Sequence, residues 1–141
     1  MGEMTMNRSL TAAAAVCLLV AAACGSGATK PPSTVSAEEK EFSITLGSAE
    51  AAAGSVTFQI KNAGALVHEF VVVKTNLAAT GLPVQGDAVV EDGLDRIGEQ
   101  EDIAVGATPS LVLTLPAAHY VVFCNVEGHY AAGMRADLTT K

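Results

Sequence analysis

Apolar and polar residues alternate along several short segments of the chain, and glycine, proline, asparagine and serine separate them. A two-residue period is typical of β-strands with one buried face. In 41–46, for example, Phe42, Ile44 and Leu46 would share that face. Residues 70–73 are continuously apolar, which favours a strand covered on both faces. The predicted strands are 41–46, 55–61, 68–74, 102–105, 110–115, 120–124 and 135–140.

These seven or eight short strands, without a long amphipathic helix, predict an all-β sandwich with Greek-key connections. The segment 76–100 does not show this alternation, and it contains several acidic residues but a single basic one, Arg96. Glycines and a proline disfavour one long helix there, although Leu94 and Ile97 fit one side of a short helical turn. We consider two interpretations: a solvated surface excursion, or an acidic face that attracts a basic partner.

The first residues are typical of an export signal. A short basic start at Arg8 precedes an apolar run, 10–23, which is too short to span a bilayer. We therefore interpret residues 1–23 as a signal peptide. Small residues directly before Cys24 resemble a bacterial lipobox, in which this cysteine would be lipidated. The position three before it is Ala21 where leucine is usual, so plain cleavage after an Ala-x-Ala is the alternative.

Residues 24–39 are rich in glycine, serine, threonine and proline, which predicts a flexible tether behind the lipidated cysteine. The folded domain would then span 40–141, enough for one hydrophobic core. Such a protein would be exported and held by its lipid at the extracytoplasmic, or periplasmic, side of the cell membrane. We expect it to be a monomer. The net charge of −7 and the lack of a basic patch argue against a nucleic-acid partner.

The scarcest residue types cluster in one segment. Cys124, His129 and Met134 are spaced five apart directly after a predicted strand, and His68 opens another strand. A thiolate, two imidazoles and a weak thioether are the ligands of blue-copper electron-transfer sites. An unpaired cysteine in an exported domain also needs a reason, and metal ligation supplies one; an inert buried cysteine is the alternative.

Other site chemistries fit less well. Methionine is a poor zinc ligand, and the cysteine and histidine spacing of zinc fingers is missing from the sequence. A cysteine–histidine nucleophile would need a third, orienting residue and oxyanion donors, which the sequence does not mark. His119, the remaining histidine, is interpreted as an exposed structural residue.

The chain resembles the cupredoxins from about residue 40 to 141. The resemblance rests on the spacing Cys-x4-His-x4-Met at 124–134, on the strand that follows, and on His68 opening a strand after Asn-x-Gly. Plastocyanin, azurin, auracyanin and rusticyanin belong to this family, and the ligand spacing is closest to the last two. The resemblance implies a single mononuclear copper ion held by His68, Cys124, His129 and Met134.

The resemblance also implies a role. Cupredoxins are one-electron carriers, not enzymes, since four protein ligands leave no open position for a substrate. Redox partners would dock around His129, on an apolar patch bordered by Leu66, Tyr130, Ala131 and Ala132. The alternatives are a copper carrier or buffer without a redox role, and a cupredoxin-like lipoprotein without metal.

Glu69 departs from the family pattern. Relatives frequently carry asparagine or serine after the first histidine, where it supports the ligand loop. Glu69 would point to solvent or bridge to the Asn125 region. We hypothesise that its charge lowers the reduction potential by favouring Cu(II), which an unchanged potential in Glu69→Gln would contradict.

Overall fold

The computed structural model describes residues 1–2 and 33–141. Almost all of the regular structure in this part of the chain is β-strand. One short helix, α1 (His129–Ala132), and a 3₁₀ turn (Ala79–Gly81) interrupt it. The strands are β1 (Thr34–Lys40), β2 (Ser43–Leu46), β3 (Glu50–Ala51), β4 (Gly54–Asn62), β5 (His68–Lys74), β6 (Val84–Gln85), β7 (Ala88–Val89), β8 (Asp95–Ile103), β9 (Ser110–Leu115), β10 (His119–Phe123) and β11 (Arg135–Thr140).

The strands form two main sheets and a small hairpin. The first sheet has the order β2-β1-β4-β9, the second has the order β3-β11-β10-β5-β8, and β6 pairs with β7. β1 runs parallel to β4 and β11 runs parallel to β3, whereas the other paired strands are antiparallel. The predicted all-β sandwich is confirmed, and all seven predicted segments lie wholly or partly in strands.

The main core lies between the two sheets. Alternate residues of β4 point into it, which is why this strand shows the two-residue period, and Phe70 and Val72 of β5 point into it from the other sheet. The rings of Phe58 and Phe70 meet there with centroids 5.3 Å apart. The largest fully buried side chains of this core are Phe58, Ile60, Phe70, Ile103, Leu115, Tyr120, Met134 and Leu138.

A second apolar cluster covers the outer face of the five-stranded sheet. Val71 and Val73 of β5 point into this cluster, together with Val121 and Phe123 of β10. The chain between β5 and β8 covers them, chiefly with Ala79, Leu82 and Val89. The prediction that residues 70–73 are buried on both faces is therefore confirmed. The segment 76–91 therefore packs on the sheet through Ala79, Leu82 and Val89.

Tyr130 of α1 is hydrogen-bonded to the segment that covers the outer face of the sheet. Its buried hydroxyl donates to the Ala79 carbonyl at 2.6 Å and accepts from the Leu82 N–H at 3.1 Å. In Tyr130→Phe both backbone groups lose their partner. We expect unfolding to become easier by about 1–3 kcal/mol, measured by urea denaturation. Tyr120→Phe serves as a comparison, since its hydroxyl donates to a single acceptor, the Pro116 carbonyl. A stability of Tyr130→Phe equal to the parent protein's would contradict this role.

Two sequence predictions about the start of the domain are wrong. The tether was expected to reach residue 39, but Thr34–Lys40 is β1, paired on both sides with β2 and β4. In addition, 41–46 is not one strand, because the chain turns between Lys40 and Ser43 to form the β1–β2 hairpin. Phe42 therefore leaves the sheet and is 49% exposed, while Ile44 is buried as expected.

The segment before residue 102 also differs from expectation. The short strand expected at 102–105 is the end of a longer one, β8, which begins at Asp95. Leu94 and Ile97 consequently do not form a helical turn. β8 is an edge strand with register shifts against β5. Charged edge strands lack an apolar alternation, which is why sequence periodicity did not reveal it.

Apart from its first two residues, the predicted signal peptide lies outside the described part of the chain, and so do Cys24 and the tether up to residue 32. Within residues 1–2 and 33–141, the structure has no helix with the length and apolar character needed to cross a membrane.

Candidate metal centre

The four predicted ligands lie at one end of the sandwich. His68 is the first residue of β5, and Cys124 directly follows the last residue of β10, the antiparallel neighbour of β5. His129 begins α1, and Met134 lies between α1 and β11. His68, Cys124 and Met134 have no exposed surface, and His129 is 5% exposed.

Three of the donor atoms converge. The Nδ1 atoms of His68 and His129 are 3.3 Å apart, and Cys124 Sγ lies 3.4 Å from Nδ1 of His129. The ligand atoms of these three residues all lie within 4.8 Å of one another. Metal–nitrogen bonds of about 2.0 Å and metal–sulfur bonds of about 2.3 Å place donors that share one ion at such separations. The geometry therefore fits a single metal ion.

Met134 belongs to the same core cluster as Cys124, and backbone hydrogen bonds join it to Cys124 and to His129. The Cys124 N–H donates to the Met134 carbonyl at 3.0 Å, and the Met134 N–H donates to the His129 carbonyl at 3.0 Å. Gly133 between them has a φ of 132°, a conformation that glycine tolerates best. One compact loop thus carries the thiolate, an imidazole and the thioether.

The sulfur is held by backbone donors. The N–H of Glu69 donates to Cys124 Sγ at 3.3 Å. Burial raises the pKa of the Cys124 thiol to about 11, although the N–H groups of Glu69 and Val126 act in the opposite direction. At neutral pH the thiol therefore keeps its proton until a metal displaces it. Cys124 is free of disulfide bonding within the described residues.

Asn62 fixes the loop that leads to His68. This buried side chain donates to the carbonyls of Leu66 and Ile103, at 2.7 and 2.8 Å, and accepts from the N–H of Gly64 at 2.9 Å. These three hydrogen bonds tie the loop to β4, which ends at Asn62, and to β8, which ends at Ile103. The backbone at His68 is consequently set before any metal arrives.

Glu41 lies behind His68, on the side away from the sulfur. Its carboxylate Oε1 is 3.0 Å from Nε2 of the imidazole, but off the axis of a linear N–H bond, so the contact is chiefly electrostatic. The backbone N–H groups of Ala65 and Leu66 lower the pKa of Glu41 to about 2. Burial lowers the pKa of His68, against the attraction of Glu41. A neutral imidazole, the form that binds metal, results.

A family model described as the sulfocyanin (SoxE) domain matches residues 46–141, which is most of the chain and all four predicted ligands. The chain belongs to the sulfocyanin family. Sulfocyanins are cupredoxins, so the predicted resemblance is confirmed. The residues of this sulfocyanin domain fit one type 1 copper ion, with His68, Cys124 and His129 around it and Met134 beside it.

Solved structures of blue-copper proteins share the fold of this sulfocyanin domain. The reduced auracyanin of Roseiflexus castenholzii is 21% identical, with a TM-score of 0.60 over 79% of this chain and 98% of its own. Auracyanin A of Chloroflexus aurantiacus is 26% identical, with a TM-score of 0.56 over 78% and 99%. Rusticyanin of Thiobacillus ferrooxidans is 18% identical, with a TM-score of 0.53 over 77% and 78%. No curated protein sequence matches the chain.

An apolar residue, Phe42, covers His129 in the sulfocyanin domain. The ring of Phe42 packs edge-to-face on His129, with centroids 5.4 Å apart and planes at 72°. Phe42, Leu66 and Val67 are each about half exposed, and Ala131 and Ala132, in the helix that His129 begins, are exposed. Tyr130, expected to border this patch, is 3% exposed and points instead into the outer cluster.

The backbone and the side chain of Glu69 make different contacts. Its N–H contacts the sulfur, whereas its carboxylate groups with those of Glu99 and Glu101. Burial, followed by repulsion from Glu91, Glu99 and Glu101, raises the pKa of Glu69 to about 7. A bridge to Asn125 was one of the two orientations considered for Glu69, and the hydrogen bonds of the Asn125 side chain go to other residues. Asn125 binds the backbone of Val89 and the Glu91 carboxylate, tying the ligand loop to the outer cover.

His119 is a structural residue, as predicted, although it is half-buried and not fully exposed. Its ring contacts the Thr75 carbonyl and the Asp137 carboxylate at 2.7 and 3.0 Å. It begins β10, whereas Cys124 follows the end of that strand, so His119 lies away from the ligands.

Sequence reasoning missed three residues around the metal centre. Asn62 was recognised as a turn former, but its side-chain contacts were not. Glu41 and Phe42 were assigned to a strand, and their contacts with the two histidines depend on a hairpin that no apolar pattern marked. The close fit of Gly64 against the Glu41 carboxylate carries no recognisable motif.

Proposed function

We propose that this protein is a one-electron carrier that uses a type 1 copper ion. The observation that supports the proposal most directly is the convergence of three buried donor atoms within 4.8 Å of one another. A buried thiolate with two imidazoles and an adjacent thioether is the donor set of copper electron-transfer centres. When bound, copper supplies the Cu(II)/Cu(I) couple.

The protein's contribution is to hold the donors still. His68 is fixed through Asn62 and the β5 backbone, and the 124–134 loop is closed by hydrogen bonds between its ends. Donors that keep their places in both oxidation states need little rearrangement when an electron moves. Burial of all four side chains excludes water and substrate from the centre. This arrangement suits a carrier and leaves an enzyme no coordination site to use.

We infer that redox proteins dock on the apolar patch of Phe42, Leu66, Val67, Ala131 and Ala132. Phe42 packs on His129, the most exposed of the four ligands, and Ala131 and Ala132 follow His129 in α1. A few half-exposed apolar residues make a small contact area, and small interfaces are typical of transient electron-transfer complexes. For the location of the protein, the signal-like residues 1–23 and the lipobox-like Cys24 support a lipid-anchored protein on the extracytoplasmic side of the membrane.

Copper reconstitution tests this function. We expect Cu(II) added to the purified domain to give an intense blue or green band, a type 1 EPR signal and a reversible one-electron wave in voltammetry. A copper carrier or buffer would instead give its copper up to an acceptor chelator, with irreversible voltammetry. A protein that stays colourless in excess Cu(II) would overturn the assignment altogether.

A further inference from the structure

The two-residue turn between β1 and β2, here called the 41–42 turn, touches both histidines of the metal centre. Glu41 lies 3.0 Å from Nε2 of His68, and the ring of Phe42 packs on the ring of His129. The hairpin places them there, because Lys40 pairs with Ser43 and the turn projects beyond the sheet. One short segment thereby reaches the two imidazoles from outside the ligand set.

The Glu41 carboxylate is fixed independently of His68. It accepts the N–H of Ala65 at 3.0 Å and that of Leu66 at 2.8 Å. Gly64 makes this possible, because a side chain there would collide with the carboxylate. The carboxylate therefore keeps its position whether or not His68 bears a metal.

The backbone of Phe42 also lies close to the ligand loop. Its carbonyl oxygen would lie 2.8 Å from a Cβ at position 133, so only glycine allows this approach. Gly133 directly precedes Met134 in the ligand loop. The edge-to-face contact with His129, with planes at 72°, is a favoured aromatic geometry. Phe42 also explains why His129 is only 5% exposed although it lies beneath the surface patch.

The simplest alternative is that the 41–42 turn only supports the 63–66 loop. Against this, Nε2 of His68 is a fully buried nitrogen without a linear hydrogen-bond partner in the described structure. The Glu41 carboxylate is the polar group beside it. Support of the loop alone would not require a carboxylate oxygen at this nitrogen.

We propose that Glu41 and Phe42 are positioning residues that preset the two imidazole ligands before metal binds. Glu41 favours the His68 tautomer with its proton on Nε2, which leaves Nδ1 free to face Cys124 and His129. Phe42 restrains the His129 ring and covers it from water. Carboxylates behind metal-bound histidines make the imidazole a stronger ligand. If the proposed copper function holds, Glu41 also favours Cu(II) over Cu(I).

The first test uses the metal-free protein and ¹⁵N NMR of its histidine rings. We expect the parent to hold His68 in one neutral tautomer, protonated on Nε2, and Glu41→Gln to mix both tautomers. Glu38→Gln is the matched control, because it removes the same charge from the outward face of β1, where Glu38 contacts Lys40. Phe42→Ala should broaden the His129 ring signals and leave the His68 tautomer unchanged.

The second test is the reduction potential of the copper-loaded variants. Glu41→Gln should shift the ratio of Cu(II) to Cu(I) affinity about tenfold toward Cu(I), which raises the potential by about 59 mV for one electron. Glu38→Gln should change it much less. Should Glu41→Gln not fold, Glu41→Asp keeps the charge but shortens its reach, and is expected to mix the tautomers as well.

An unmixed His68 tautomer in both Glu41 variants, or equal potential shifts in Glu41→Gln and Glu38→Gln, would overturn the proposal for Glu41. Unchanged His129 signals in Phe42→Ala would overturn it for Phe42. A colourless protein with the expected NMR result would contradict the copper function and leave the role of the 41–42 turn supported.

Discussion

Replacing Cys124 with serine is expected to abolish the intense visible band of the copper-loaded protein. The sulfur is the soft donor among the converging atoms, and a serine hydroxyl does not replace it as a ligand. We expect Cu(I) affinity to fall more than about 100-fold, since changes to residues behind the ligands alone cost about 10–100-fold. Competition with a chromophoric Cu(I) chelator measures the loss.

Met134→Leu provides the matched comparison for Cys124→Ser. Both replace a fully buried sulfur-containing side chain in the same loop. The leucine variant keeps the thiolate and both imidazoles, so it should retain a strong visible band while its potential rises through loss of the weak axial donor. A full-intensity band in Cys124→Ser would show that the colour does not come from this sulfur.

Raising the pH from about 5 to 8 is expected to destabilise the metal-free protein, chiefly through Glu39. This side chain lies on the inward face of β1 with no exposed surface, and neither carboxylate oxygen has a hydrogen-bond partner in the described structure. Burial, and then repulsion from Glu69, raises the pKa of Glu39 to about 8. Below pH 4.5 the carboxyl is neutral in both the folded and unfolded states.

Between pH 4.5 and about 8 the unfolded chain releases the Glu39 proton, whereas the folded protein keeps it. The free energy of unfolding therefore falls as pH rises from 4.5 through the folded pKa. The pKa shift of Glu39 corresponds to a loss of at most roughly 5 kcal/mol in the free energy of unfolding. Glu69, with its pKa of about 7, acts in the same direction. Glu41 acts oppositely, because its low pKa adds stability above pH 4.5 that is lost as pH falls toward 2. The lowered pKa of His68 also acts oppositely, because it adds stability as pH rises toward 6.5. Maximum stability is therefore expected on the acidic side of neutral pH.

Urea denaturation of the metal-free protein at pH 5 and pH 8 measures this effect. Glu39→Gln should lose most of the difference in unfolding free energy between the two pH values, leaving the smaller and opposing contributions of Glu69 and His68. Glu38→Gln, on the opposite face of the same strand, should keep all of it. Parent stability that is equal at pH 5 and pH 8 would show that Glu39 is not a buried, raised-pKa carboxyl.

The strands that sequence could predict are those whose buried positions hold large apolar residues. β4 presents Val56, Phe58 and Ile60 to the core, which makes its period visible. β1 presents Val35, Ala37 and Glu39 instead, and an alternation of small and ionisable residues looks like a linker. Missing β1 also concealed the β1–β2 hairpin and misplaced Phe42.

The ligand positions were predictable for a different reason. Cysteine, histidine and methionine at a fixed spacing carry their chemistry in residue type, so Cys124, His129 and Met134 could be recognised before any contact was known. The surroundings of the histidines could not. Glu41 and Asn62 act through where the backbone places ordinary polar side chains, and that placement depends on strand pairing between distant segments.

The direction of β1 determines which end of the domain lies farthest from the N-terminal part of the chain. Its seven residues run about 20 Å from Thr34 to the turn that meets the histidines. Thr34 therefore lies at the pole opposite the metal centre. For a lipid on Cys24, the nine residues from 25 to 33 span at most about 30 Å. The domain would stand close to the bilayer with its copper end pointing outward, so electrons would be exchanged with proteins approaching from the aqueous side.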